Sequence, residues 1–245
     1  MGFVEFSSGN VDYIFDGVNH VLARRPDSLF NGIDALVIER PALDFVPEGF
    51  AERLLLISFF GNRNLLEQLK RERLPVYSVD VRSVKYQGPG EFFDTPSWSY
   101  WWYGLLYGVS RREIPKNVQD YMADIHYQYY PAGAARSAVS AEKITNHLAQ
   151  RVKIERGMSG RRIRIGLIDG VGHVDIVNYI KSDERRTEAL THHQRSGFDD
   201  LRVEDLDVLL RYDYVSAGQG NGTSGWRMTK ENTGLFDGNR LKRLS

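Results

Sequence analysis

Cysteine is absent from the 245 residues, which excludes disulfides, thiolate metal sites and cysteine nucleophiles. An excess of one charge is absent too. Thirty-two basic and thirty-two acidic residues cancel, which argues against a protein held on nucleic acid by its overall charge. No long hydrophobic run is present. The most apolar stretch, Trp98–Val109, is aromatic and far short of the roughly 18 residues needed to span a bilayer. Met1–Asn10 lacks the basic-then-apolar pattern of a secretory leader. The common catalytic signatures H-E-x-x-H, G-x-x-x-x-G-K-[ST] and G-x-S-x-G are missing. Gly170-x-Gly172 lacks the third glycine of a dinucleotide loop, and Asp175 in its place would repel a pyrophosphate. These absences lead us to expect a cytoplasmic protein with no membrane span and no nucleic-acid partner. Oligomeric state stays open.

What the chain does contain is a phrase used twice. Residues Phe15–Val21 read F-D-G-V-N-H-V, and Ile168–Val174 read I-D-G-V-G-H-V. Five identities in six positions arise by chance in roughly one such chain in twenty, so the physical sense of the repeat matters more than its statistics. Each copy follows an apolar run with strand character. A turn with glycine comes next, and then a histidine. In α/β sheets the crevice beyond the strand ends is where ligands bind. Two copies would bring His20 and His173 to one sheet edge.

The elements between them alternate. Val11–Phe15 is a strand candidate, and a helix is expected within Ala23–Asn31. Ala35–Ile38 is a short continuous apolar run, which suits a strand buried on both faces. Glu48–Arg73 is helical in spacing and divisible at Gly61-Asn62. Pro75–Val81 is a further strand, with Asp80 near its end, and Ser83–Ser97 reads as a long loop. Trp98–Tyr130 reads as an aromatic helical pair, and core packing is favoured over a lid because aromatic stripes at helical spacing are usually core. Ala134–Val152 is a helix whose row Ile144, Leu148 and Val152 marks the buried stripe. Arg136 and Ser140 extend that row. Arg162–Ile168 is the fourth strand, followed by a helix over Val174–Lys181. The polar segment 185–200 carries no assignment. Leu206–Val215 is a strand, one more short strand falls within Gly225–Phe236, and Leu241–Ser245 is a frayed tail. The pattern predicts a single α/β domain over 1–245, with a mixed, mostly parallel central sheet and flanking helices. Its core covers about 11–181, with a helical aromatic-rich insert at about 98–130 and a small β-rich C-terminal extension at about 183–245.

Four residues are candidates for chemistry. A lone histidine at a strand end usually just hydrogen-bonds backbone, but His20 and His173 stand in matched contexts. Glu39 is expected at the end of a neighbouring strand. Glu39 and Arg40 could equally form an ordinary surface ion pair. Two histidines and a carboxylate can hold a divalent metal with positions left for water. Arg136, in line with an apolar stripe, either snorkels out or enters a polar pocket. His192-His193 sits in a polar run and reads as solvated surface.

The order of these motifs resembles the TraB/Tiki superfamily, with its ChaN-like and erythromycin esterase-like relatives. Two G-x-x-H motifs match Gly17–His20 and Gly170–His173, and the strand-end Glu matches Glu39 in Asp34–Glu39. The family's Asp-Arg phrase is similar to Val76–Arg82, where Val81 intervenes. Its Arg before the second G-x-x-H matches Arg136. The resemblance covers about 11–181. It implies a strand-end pocket lined by both histidines, the Glu and the Arg, and activities ranging from metal-dependent proteolysis to metal-free ester hydrolysis and haem binding. We therefore expect a hydrolase of peptide or ester bonds, metal-assisted through Mn, Co or Zn. His20, His173 and Glu39 would be the metal ligands and Arg136 the oxyanion or carboxylate binder. The rival expectations are a binding or regulatory protein that sequesters a peptide or small-molecule ligand in the same pocket, and a metal-free esterase.

Overall fold

The computed structural model describes residues 2–18, 30–39, 51–58, 63–82, 84, 98–109, 112–158, 160–196, 198–216 and 224–244. Among these, seven strands form one sheet, in the order β1-β2-β5-β3-β4-β6-β7. The strands are β1 (Gly2–Ser8), β2 (Val11–Val18), β3 (Ala35–Ile38), β4 (Val76–Ser78), β5 (Ile163–Gly170), β6 (Val208–Val215) and β7 (Gly225–Asn232). β2, β5, β3 and β4 are mutually parallel. β6 runs against β4, and β7 runs against β6. β7 therefore shares the direction of the central four, and only β1 and β6 are reversed. The sheet is mixed and mostly parallel, as expected.

Both faces of the sheet are covered. Helices α1 (Ala51–Ser58) and α2 (Arg63–Glu72) meet Ile14, Leu36, Ile38 and Ile168 on one face. In α2 the buried Leu65, Leu66 and Leu69 lie on one side and the charges on the other, the pattern of a helix with one face in the core. The opposite face carries Tyr13, Phe15, Val37, Tyr77 and Leu167. Against it pack α5 (Pro131–Lys143), a π-helical turn (Ile144–Leu148) and α6 (Ala149–Glu155), which continue one another. α3 (Trp98–Val109), α4 (Lys116–Tyr129) and α7 (Asp175–Lys181) complete that side, with α8 (Asp183–Arg195) beyond. All four residues of β3 are buried, as a strand covered on both faces requires. Gly166 in β5 is needed for packing. A Cβ there would stand 2.7 Å from Phe30 Cδ1 and 2.9 Å from Leu36 Cδ1.

Several elements differ from the sequence reading. β1 was not anticipated. It pairs antiparallel with β2 through a two-residue turn at Gly9-Asn10, with Gly9 at φ 56. Gly-Asn between two strand-like runs is a hairpin signal. The segment left without assignment contains α8, whose N-cap Ser182 accepts from the Arg185 backbone N–H at 3.2 Å. That is a helix start readable from Ser followed by two acidic residues. The C-terminal tail is tied down rather than frayed. Leu241 is fully buried, and Arg243 donates to Glu142 at 2.8 Å and to Asp183 at 3.0 Å. The C-terminal extension joins the main sheet as β6 and β7, followed by a hairpin of β8 (Phe236–Asp237) and β9 (Arg240–Leu241). The helix expected within 23–31 lies almost entirely outside the described residues. So do Gly61-Asn62 and most of the loop 83–97.

A candidate carboxylate and histidine site at the strand ends

The two copies of the repeated phrase lie on adjacent parallel strands, with Phe15 paired to Leu167 and Asp16 to Ile168. Asp169 is thus opposite Gly17, one residue out of step with Asp16. Side chains alternate between faces along a strand, and paired residues share a face. The offset puts the two aspartates on opposite faces of the sheet. Asp16 is buried on the α1–α2 side, beside Ile14 and Ile168 in the alternation. Asp169 faces the α5 side, and so does Glu39, one residue past Ile38. Backbone order supports this, since the Glu39 N–H donates to the Ile168 carbonyl at 3.0 Å. His20 lies outside the described residues.

On the α5 side a cluster forms at the C-terminal ends of β3, β4 and β5. Arg136, in the middle of α5, donates from Nε to Asp80 Oδ1 at 3.0 Å and from Nη2 to Asp80 Oδ2 at 2.5 Å. Its Nη2 also reaches Glu39 Oε1 at 3.4 Å. The pairing with Asp80 is bidentate, the strong planar form open to guanidinium but not to ammonium. Burial alone would lower the proton affinity of Arg136. Asp80, Glu39 and Asp169 more than offset that and keep the guanidinium charged. Asp169 feels the reverse. Burial, and then the charges of Glu39 and Asp80, push its carboxyl well above the ordinary carboxylate range.

His173 sits in the 3-10 turn Val171–Val174 that follows β5. Its Nδ1 lies 3.0 Å from Ser137 Oγ, one residue after Arg136. Ligand atoms of Glu39, Asp169 and His173 all lie within 4.8 Å of one another. The structure therefore brings together three of the four residues named from sequence: Glu39, His173 and Arg136. Beneath the cluster is a pocket of about 10 Å³, lined by Asp80, Asp169, Ser140, Ile144 and Ile176 among others. That is room for about one water.

Sequence reasoning missed Asp80, Asp169 and His126 as site residues. Asp169 was already visible as the acidic member of the repeated phrase. His126 lies on the buried face of α4 with Val118 and Met122, at steps of four. It was absorbed into the aromatic insert. Its Nδ1 is 2.8 Å from Asp175 Oδ2, and its ring meets His173 edge to face at 5.1 Å between centroids. Arg82, taken with Asp80 in the family-like phrase, turns away to a bidentate pair with Asp205 at 2.7 and 3.1 Å. Of His192-His193, only His192 is surface. His193 is buried, which together with His192 lowers its imidazole to about 4.

No family model, curated protein or solved structure matches the chain. Among the described residues, no helix is long and apolar enough to cross a membrane.

Proposed function

We propose that the protein is a hydrolase of peptide or ester bonds, of the kind the TraB/Tiki resemblance implies, working with a divalent cation at the strand ends. The observation that carries this reading is the convergence of Glu39, Asp169 and His173 to within 4.8 Å at the carboxyl ends of β3 and β5. Two carboxylates and an imidazole suit a hard or borderline ion such as Mn or Zn. The raised proton affinity of Asp169 marks a place where a cation would replace a proton. Such an ion would supply Lewis-acid activation of water and of the scissile carbonyl.

The chain's own residues have separate tasks in this reading. Glu39 would have two tasks: one oxygen would hold the ion with Asp169 and His173, and the other would take the proton of the attacking water. Arg136 orients Glu39 and is itself fixed by Asp80, so its role is positioning, ahead of the substrate contact expected from sequence. Ser137 holds the His173 ring by its Nδ1. His20 remains in the proposal on its sequence match alone. The alternative, a non-catalytic binder of a peptide or small ligand, draws on one observation. Arg136 is engaged by Asp80 and Glu39 rather than presented toward a substrate.

Glu39→Gln separates the two. It keeps size and polarity and removes both the base and a charged ion ligand, so turnover of an ester or peptide substrate is expected to fall by at least roughly 10²–10⁴-fold with the circular dichroism unchanged. Chelation is expected to abolish turnover, and added Mn²⁺ to restore it. No hydrolysis across an ester and peptide panel with Mn²⁺, Co²⁺ or Zn²⁺ present would defeat the hydrolase reading and leave the binder.

A further inference from the structure

We propose that the chain holds a second transition-metal site, built from His126, His173 and Asp175, beside the carboxylate-rich set and sharing His173 with it. Ligand atoms of these three residues also lie within 4.8 Å of one another. His126 and Asp175 are buried on different elements, α4 and the first residue of α7. His173 stands between them in the 3-10 turn. Two imidazoles and one carboxylate form a nitrogen-rich set that favours Zn²⁺, Co²⁺ or Ni²⁺ over Mg²⁺ or Ca²⁺.

Two observations point to a ligand rather than to plain packing. Asp175 is fully buried, and its Oδ1 has no hydrogen-bond partner among the described residues, although Oδ2 meets His126. A buried carboxylate with an oxygen left over is costly, and such groups are normally satisfied. The His126 ring is held firmly. A Cβ at Gly133 would stand only 2.2 Å from its Nε2, so a glycine on α5 makes room for this imidazole. Donors about 2.1 Å from one tetrahedral ion stand about 3.4 Å apart; His126 Nδ1 and Asp175 Oδ2 are already 2.8 Å apart, and the set, spread over at most 4.8 Å, would draw in around an ion. An ion entering here takes the place of the proton between His126 Nδ1 and Asp175 Oδ2, and that proton leaves to solvent.

The two sites differ in chemistry. Glu39 and Asp169 offer oxygen, whereas His126 contributes nitrogen. The second site does not depend on the hydrolase reading, and one experiment tells them apart. The full-length protein is stripped with a chelator and titrated with Co²⁺, following heat and visible absorption. Two equivalents per chain are expected: Ser137 holds Nδ1 of His173, so its Nε2 serves one ion at a time, the ion of the His126 and Asp175 site, while Glu39 and Asp169 hold the other. His126→Gln and Asp175→Asn should each remove one equivalent along with the nitrogen-rich d–d bands. Glu39→Gln should remove the other and leave those bands in place. In the wild type, the His126 imidazole ¹⁵N signal should shift on adding Zn²⁺, a readout that needs no variant to fold. Full stoichiometry and spectrum in both His126→Gln and Asp175→Asn, with an unmoved His126 signal, would overturn the second site. A single equivalent lost through Glu39→Gln alone would overturn it too. Retention of both equivalents by Glu39→Gln, with one lost through His126→Gln, would instead count against the cation of the hydrolase reading.

Discussion

Asp169 is held where its charge is expensive. Burial and two neighbouring carboxylates raise its proton affinity. For an acid this means that the folded state keeps the proton longer than the unfolded chain. The cost to stability therefore begins as pH rises past the ordinary aspartate range and is complete above the raised value. Asp169→Asn removes that cost. At pH 7 the variant is expected to be more stable than the wild type in urea unfolding, while cation binding and turnover fall. Stability gained at the expense of function is the mark of a site rather than of a structural ion pair. Gly133 makes a second case at this scale. Gly133→Ala drives a methyl into His126 Nε2, and such overpacking should cost about 1–3 kcal/mol. The His126 ring signals should move in the NMR spectrum while those of the distant β6–β7 pair stay put.

At the scale of elements, α5 and the turn after it explain how one rod serves both site and core. Arg136, Ser140, Ile144, Leu148 and Val152 all face inward. A spacing of four drifts by about 40° per step in a helix of 3.6 residues per turn, so five such positions cannot share a face in a regular α-helix. The π-helical turn Ile144–Leu148 has wider turns and takes up the drift. The sequence shows the four-residue spacing but not the π turn that makes it work. Lys143 secures the rod. Fully buried, it donates from Nζ to the carbonyls of Val79, Asp205 and Val208 at 2.9, 2.8 and 2.7 Å. It thus ties α5 to the end of β4, to α9 (Val203–Leu206) and to β6. Lys143→Met keeps the volume and leaves three buried carbonyls without this donor. A loss of roughly 3 kcal/mol is expected in urea unfolding, larger than for Lys153→Met on the partly exposed part of the same rod.

For the whole molecule, the acid limb of stability is where His193 counts. Its imidazole is lowered to about 4 by burial and by His192, whereas an unfolded histidine titrates near 6.5. Between these values the unfolded chain binds the extra proton and the native state does not. The contribution is intact above about pH 6.5, is lost progressively as pH falls, and is gone below about 4. His193→Phe should flatten the fall in melting temperature over that window, measured beside the wild type from pH 7 to pH 4. β7 closes the far edge of the sheet with Arg227, Lys230 and Glu231 along a largely exposed strand, charges that discourage pairing with another sheet.

The central strands could be read from the sequence because their apolar runs are local and dense. Ala35–Ile38 has no polar residue to place on either face, so a doubly covered strand is its natural role. Glu39 and His173 were legible for the same reason, since each stands just past a strand whose apolar run is local, and Arg136 was legible from the apolar row it extends. What no local pattern carries is the pairing of distant segments. The one-residue register offset between β2 and β5 sends Asp16 and Asp169 to opposite faces, although their surrounding phrases are nearly identical. The partnership of His126 with Asp175 joins residues 49 positions apart on separate helices. Those choices follow from which register buries the most apolar surface and from how α4 and α5 settle on the sheet, and only the assembled tertiary structure decides them.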